Sequence, residues 1–540
     1  MRTRANGRRA ATRVAVAGAS LAAVGWSLAG AAAAQTAPGP ANEAARVQEL
    51  ETEVRQLAAE VQALKAAQAA QAGGTVATWP RSDATAADAQ PTASRAAQNA
   101  TGGVSGSPER ARGADLVGEP RVAQNSTHRL LLESPAGYSI GLTGDIQFDA
   151  GAYLGFRAAN AFVGPQSLSN GVNARRARVG VVGTAPGGWG FALVYDAGNS
   201  QDATPKGIET AQIVYGGLKG AAFEIGYSNT FFTLDQSTGS NDLLFLERSS
   251  ASNIATAFNT GDNRANAGAR FFGDRYWAGA YVTGPAIGDS HALTAERFGA
   301  FERVALQALS GKDYSLHLGF GADQLIQAPN SGAGTPNALT LNDQPELRID
   351  PTALLGAGAL GAAAHPVIGG HVYDLETAAS WKGLFWQGEY YWYGVDRSGL
   401  ASNSFDGWYG QIAWTLTGET HAYNPQAGSY FRIYPSHPFS LSKGEWGAWE
   451  VAARLDYVNL NSNFTPGVAL SANPDAVDGG SQRGVAAGLN WYPNDLIRFL
   501  LDYNHVDYDK ANGAKAAGAA LGVPVGAKFD AVSFRAQVAF

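Results

Sequence analysis

The chain has 540 residues, is rich in glycine (67) and aromatic residues (10%), is poor in charged ones (16%), and carries a net charge of −7. It contains no cysteine, which excludes disulfides, thiolate metal ligands and cysteine nucleophiles. The acidic balance argues against a nucleic-acid partner, and a mean hydropathy of −0.14 argues against a bundle of membrane helices.

Arg2, Arg4, Arg8, Arg9 and Arg13 precede an apolar run from Val14 to Ala34 that closes on Ala32-Ala33-Ala34. A basic start, an apolar stretch and small residues at its end predict a secretory signal peptide over residues 1–34. Its removal takes five arginines and no acids, leaving an exported chain with a net charge of about −12. Residues 35–70 form the next predicted unit. There Val47, Leu50, Val54, Leu57, Val61 and Leu64 make a heptad pattern with Val at a and Leu at d. Arg46 and Glu60 fall at g, Glu51 and Lys65 at e, so parallel helices could pair their charges. Such a seam favours two strands. Residues 71–127 lose all periodicity and are dominated by Ala, Gly, Ser, Thr, Pro and Gln, which predicts a flexible linker.

The last unit, 128–540, is predicted to be a β-barrel. From Tyr138 a two-residue period takes over: Tyr138, Ile140, Leu142, Ile146, Phe148 and Leu154 share one face of a strand, and Ser139, Thr143, Asp145, Gln147 and Asp149 share the other. So many polar groups on one face suit a water-filled interior and not a dry sandwich core. The alternation recurs. Trp189, Phe191, Leu193 and Tyr195 oppose Asp196; Leu384, Trp386, Tyr390 and Trp392 oppose Gln387 and Glu389. Trp449, Val451, Leu455 and Tyr457 oppose Glu450, Arg454 and Asp456, and Ile497, Phe499, Leu501 and Tyr503 oppose Arg498, Asp502 and Asn504. Tight links such as Pro186-Gly187-Gly188 and Pro493-Asn494-Asp495 alternate with long ones. The expected fold is an all-β transmembrane barrel of about sixteen antiparallel strands, with Pro345–Asp350 counted as part of a loop. In the final stretch Val532, Phe534, Ala536, Val538 and Phe540 lie on the oily parity and Arg535 on the wet one. A closing strand that ends in an aromatic residue resembles those read by the bacterial barrel-assembly machinery.

Arg175, Arg176 and Arg178 open a strand that runs on into Val179-Gly180-Val181-Val182. An arginine facing lipid near the bilayer midplane costs about 2–4 kcal/mol. Arg176 and Arg178 share the parity opposite Val179 and Val181, which puts both on the wet face. Guanidinium forks there suit phosphate or carboxylate, so the arginines either line an anion path or bridge to acids across the interior. A strand ends near Asn229 and clean alternation resumes only near Asn266, so a long loop follows the fifth strand.

Arg175-Arg176-Ala177-Arg178, Phe245-Leu246-Glu247-Arg248, Leu416-Thr417-Gly418-Glu419, Glu445-Trp446-Gly447-Ala448-Trp449-Glu450 through Arg454, and Gly488-Leu489-Asn490-Trp491-Tyr492 occur in that order. Together they resemble the phosphate-selective porin family of the O and P type, over roughly residues 138–540. The resemblance implies a homotrimer of sixteen-stranded porin barrels in the outer membrane of a Gram-negative bacterium, in contrast to the two-stranded heptad preference. It implies a water-filled channel for passive diffusion of small hydrophilic solutes that favours anions such as phosphate. It also implies an inward-folded long loop, with the anion path and constriction near Arg175, Arg176, Arg178, Ser240, Asp242, Glu247 and Arg248. The chain departs from phosphate-specific members in two places. Ser240, Asn241 and Asp242, with Gln236 before them, stand where those members carry lysine, and Glu209-Thr210-Ala211 stands where an Asp-Ala pair is common. Glu224, Asp235, Asp242, Glu247 and Asp262 outnumber Arg248 and Arg264 around the loop. The alternative is a general or carbohydrate-permeable porin whose periplasmic coiled coil tethers the outer membrane.

Gly137-Tyr138-Ser139-Ile140-Gly141 matches a nucleophile-elbow pattern but lies inside an alternating strand, and Gly356–Gly361 matches a dinucleotide pattern with no βαβ unit around it. The eight histidines show no close metal-ligand spacing. No enzymatic activity, metal or cofactor is expected. The expected partners are outer-membrane lipid, further copies of the chain, and the barrel-assembly machinery acting on the strand that ends in Phe540.

Overall fold

The computed structural model describes residues 121–124, 130–158, 167–198, 207–258, 262–287, 295–330, 337–344, 346–465, 468, 470–511 and 524–540. The predicted signal peptide, heptad segment and most of the predicted linker lie outside the described residues. The end of that linker is a correction: Arg121–Gln124 form a strand, β1, because their backbone finds partners in β2 (Leu130–Glu133).

Among the described residues, eighteen strands hydrogen-bond into one sheet. β1 and β2 are an appended hairpin, joined to the sheet where Leu131–Glu133 lie beside Ser139–Gly141. The other sixteen close into a barrel. They begin with β3 (Ser139–Ala158), β4 (Gly171–Ala185), β5 (Trp189–Asp196), β6 (Gly207–Tyr215) and β7 (Ala221–Asn229). Then come β8 (Asn263–Phe272), β9 (Tyr276–Thr283), β10 (Phe298–Ser310) and β11 (Tyr314–Gln327). A small hairpin, β12 (Leu339–Asp343) and β13 (Leu355–Leu360), interrupts the series before β14 (Val367–Trp381), β15 (Leu384–Arg397) and β16 (Asn403–Thr415). A second, minimal hairpin, β17 (Tyr423–Asn424) and β18 (Ser429–Tyr430), precedes β19 (Ala448–Ser462), β20 (Val477–Tyr492), β21 (Ile497–Ala511) and β22 (Pro524–Ala539). Neighbours pair antiparallel in chain order, and β22 returns to pair with β3, so the barrel has no free edge.

Closure is completed by the final residue. Phe540 and Gly144 exchange both backbone hydrogen bonds at 3.0 Å. A Cβ on residue 144 would lie 2.6 Å from the Phe540 ring, so only glycine admits the aromatic terminus here.

Side chains obey the alternation read from the sequence. Ile146, Phe148, Val179, Leu193, Leu318, Trp386, Ile412, Leu455, Leu501 and Phe534 are exposed on the outer face. Asp145, Gln147, Asp149, His317, Glu389, Arg454, Asp502 and Arg535 are buried on the inner one. On the outside, Trp449, Trp491, Phe499 and Phe534 stack across β19–β22 at 5.4–6.0 Å between ring centroids, as an interfacial aromatic girdle does. One end of the barrel carries tight links such as 186–188, 382–383 and 493–496, and the other carries the long loops. Residues 416–447, which join β16 to β19, are the exception: a long segment at the tight-link end.

Candidate functional site

The site begins with an irregularity in β4. Gln147 of β3 pairs with Arg176, but Phe148 pairs with Ala174, so Arg175 is the extra residue of a β-bulge. Strict alternation would turn Arg175 outward. The bulge instead brings Arg175 and Arg176 inward together, 8% and 3% exposed, while Val179 keeps its outward face. Alternation alone could not reveal this, because a bulge resets parity without a clear local sequence mark.

The long loop between β7 and β8 folds into the barrel, as the family resemblance implies for the loop after the fifth barrel strand. It includes a helical turn, Leu234–Ser237, capped by the Thr233 hydroxyl, and a helix, Ser250–Ala257, capped by Ser249. Its backbone is pinned to the far wall. The amides of Leu234 and Asp235 donate to Glu389 at 2.7 and 3.0 Å, and that of Leu246 donates to Asp502 at 2.7 Å. The carbonyls of Leu244, Leu246 and Glu247 accept from Asn490, Arg535 and Arg454 at 3.0, 2.6 and 2.8 Å. Polar wall groups thus take the place of water at these backbone amides and carbonyls.

Two further segments enter the interior. From the long-loop end, the β12–β13 linker contributes Glu346 to Arg454 at 2.8 Å and the Leu347 carbonyl to the Tyr153 hydroxyl at 2.6 Å. From the tight-link end, residues 416–447 send the carbonyls of Ala427 and Gly428 to Arg303 at 2.9 and 2.7 Å, and Arg432 pairs with Asp242 at 3.7 Å. The sequence signalled neither intrusion. Loop-like composition records that a segment is not a strand and is silent on which way it folds.

At the junction of loop and wall the charges interlock. Arg175 donates to Glu247 twice, at 2.7 and 3.0 Å. Arg535 makes a bidentate pair with Asp149, both bonds at 2.7 Å, and reaches Glu247 at 2.9 Å. Arg348 stands 3.8 Å from the same carboxylate. Arg178 binds Asp196 at 2.9 Å and Glu209 at 2.5 Å, and its side chain keeps 15% exposure. Arg248 turns back into its own loop, to Asp235 at 2.9 Å and Asp262 at 3.6 Å. Arg176 differs from all of these. Its hydrogen bond, 2.7 Å, goes to the neutral amide of Gln147; its Nε has no partner, and it makes no ion pair among the described residues.

Of the predicted residues, Arg175, Arg176, Arg178, Ser240 and Glu247 therefore meet along one side of the loop, with Ser240 accepting from Arg178 at 3.4 Å. Asp242 and Arg248 point elsewhere, to Arg432 and to Asp235. Arg535 and Asp149 belong to the cluster and were legible only as wet-face residues; Arg348 and Arg432 arrive on the unpredicted intrusions.

Burial alone would raise the Glu247 carboxyl, but Arg175 and Arg535 reverse this and hold it well below 4.5. A depressed carboxyl contributes stability that is fully present above its unfolded value and is lost as pH falls through its folded value. Thermal melts of wild type and Glu247→Gln in detergent should differ clearly at neutral pH and converge well below pH 4.5. A gap independent of pH would show that the charge of Glu247 is not what holds the cluster.

A closed sixteen-stranded barrel, apolar outside, charged inside and narrowed by an inward loop, defines an outer-membrane channel of the porin type. The chain belongs to the family described as phosphate-selective porin O and P, whose model matches residues 141–540. An uncharacterised protein of Caulobacter vibrioides is 28% identical over 361 residues, which cover 64% of this chain and 65% of that protein. The chain thus spans just under two thirds of that relative's length. Porin O of Pseudomonas aeruginosa is 23% identical over 390 residues, 69% of this chain and 84% of that one. Among solved structures, an anion-selective porin from Comamonas acidovorans shares 13% identity across 75% of this chain and 100% of its own, with a TM-score of 0.44. Vibrio cholerae OmpT in trimer form shares 11% across 75% and 99%, also with a TM-score of 0.44.

Proposed function

We propose that the protein is a passive channel for small hydrophilic solutes that favours anions, phosphate among them, and that Arg176 is the residue that favours them. The single observation behind this is the buried guanidinium of Arg176, which has no carboxylate partner among the described residues and stands beside Arg175, Arg178 and Arg535. An anion arriving there finds hydrogen-bond donors already desolvated and oriented, with no internal ion pair to break. The neighbouring arginines are each neutralised by an acid, so the preference is modest and depends on one position. Each barrel encloses its own path, and the working assembly is a homotrimer. The residues before the barrel export the chain and, through their heptads, join copies in the periplasm.

Reversal potentials in a salt gradient across planar bilayers test the reading. Wild type should favour anions over cations, and Arg176→Gln should lose most of that preference while single-channel conductance stays close to wild type. The near-complete pairing of the other arginines favours a second reading, a general pore for neutral solutes. Cation preference or neutrality in wild type, unchanged by Arg176→Gln, would establish it instead.

A further inference from the structure

Away from the arginine cluster, three carboxylates converge on the inner wall: Asp374 and Glu376 of β14 and Glu389 of β15. Oxygens from all three lie within 4.8 Å of one another, and all three residues are buried. Glu376 accepts from Arg303 at 3.0 Å and pairs with His317 at 3.2 Å. Glu389 accepts the amides of Leu234 and Asp235 and the Tyr409 hydroxyl. Asp374 has neither: it is 0% exposed, and among the described residues no arginine, lysine, hydroxyl or amide donates to either of its oxygens, which face the Glu389 carboxyl. Room for the cluster is made by β11, where a Cβ on Gly319 would fall 1.8 Å from a Glu376 oxygen.

A fully buried carboxylate with no donor is costly unless something neutralises it. Three carboxylates against the one guanidinium of Arg303 leave two negative charges. A single proton shared between Asp374 and Glu389 would cancel one of them. A dication cancels both, and oxygens no more than 4.8 Å apart can share one calcium ion, which holds each at about 2.4 Å. The ligands are all oxygen, which suits a hard cation and not zinc.

The geometry points to a structural divalent-cation site, Ca2+ first and Mg2+ second, held by Asp374, Glu376 and Glu389. Through Glu389, which grips the first turn of the inward loop, the ion joins β14 and β15 to the segment that narrows the channel. The site is separate from the anion path, so it stands or falls independently of selectivity.

The test uses full-length protein refolded into detergent without lipopolysaccharide, so that lipid-borne sites are absent. Equilibrium dialysis against Ca2+ alone, and then Mg2+ alone, should find about one tightly held ion per chain. Thermal unfolding should shift upward with Ca2+ relative to chelator. Asp374→Asn, and independently Glu389→Gln, should lose both the bound ion and the Ca2+-dependent shift. Two variants are needed because Glu389 also anchors the loop, whereas Asp374→Asn removes no hydrogen bond. Wild type that binds neither ion, with a melting temperature indifferent to chelator, would overturn the site in favour of a shared proton. Retention of the ion by both folded variants would overturn its location.

Discussion

Replacing Arg535 with alanine is expected to be the most damaging single change in the barrel lining. Its guanidinium, 1% exposed, holds Asp149 of β3 by two bonds and also Glu247 and the Leu246 carbonyl of the inward loop. It sits on the closing strand and ties the seam to the constriction. Truncation leaves Asp149 without its bidentate partner, Glu247 dependent on Arg175 and the more distant Arg348, and a loop carbonyl without a donor. Breaking a buried pair in this way costs about 3–5 kcal/mol. Arg535→Lys should recover only part of that loss, since an ammonium cannot serve two carboxylates and a carbonyl with one fork. Heat-induced loss of the folded band on gels should fall to a clearly lower temperature in the alanine variant, and channels that survive should shift toward cations. Because Arg535 and Glu247 share one network, the double variant Arg535→Ala, Glu247→Ala should cost less than the two single losses combined. Additive losses would show that the two side chains act independently.

The second large effect is expected at Arg303, which fastens the inward loop and the 416–447 segment to β10. It donates to Glu376 of the wall, to the Ser237 hydroxyl of the inward loop at 2.9 Å, and to the carbonyls of Ala427 and Gly428. Its planar head also lies over the Trp277 ring, 5.1 Å from the centroid. Arg303→Ala takes a donor from four acceptors at once, on three separate segments. The stability loss should again be about 3–5 kcal/mol, but the more telling readout is conductance. With the loop and the 416–447 segment both untied, single-channel conductance should rise and become noisy. A quiet channel of unchanged conductance would mean that the remaining anchors suffice.

The barrel itself was legible because its physics is periodic. Every second residue meets lipid, and a polar side chain on that face is expensive, so Phe148, Leu193, Leu455 and Leu501 mark their strands. Sixteen strands follow from counting such stretches, provided Pro345–Asp350 is treated as loop; residues 346–350 are turn and bend in the structure. The constriction was less legible. Arg176, Arg178 and Glu247 could be placed by parity and by family motif. The inward turn of Arg175 depends on a bulge, and the contributions of Arg348 and Arg432 depend on where two loops fold after the wall exists. Nor does a sequence say which arginine lacks an acid. Arg178 and Arg176 lie two residues apart on one face, yet only Arg178 faces both Asp196 and Glu209, because β5 and β6 deliver those acids to its side.

The anchors of the inward loop have a consequence for biogenesis. The loop is synthesised early, between β7 and β8, but Glu389, Arg454, Asn490, Asp502 and Arg535 all come from strands translated much later. Contacts of such sequence separation form slowly, since long chain closures must precede them. The narrow part of the channel therefore cannot exist before the wall is nearly whole. A half-inserted barrel would carry an untethered loop, and the step that zips β22 onto β3 is also the step that sets the gauge of the pore.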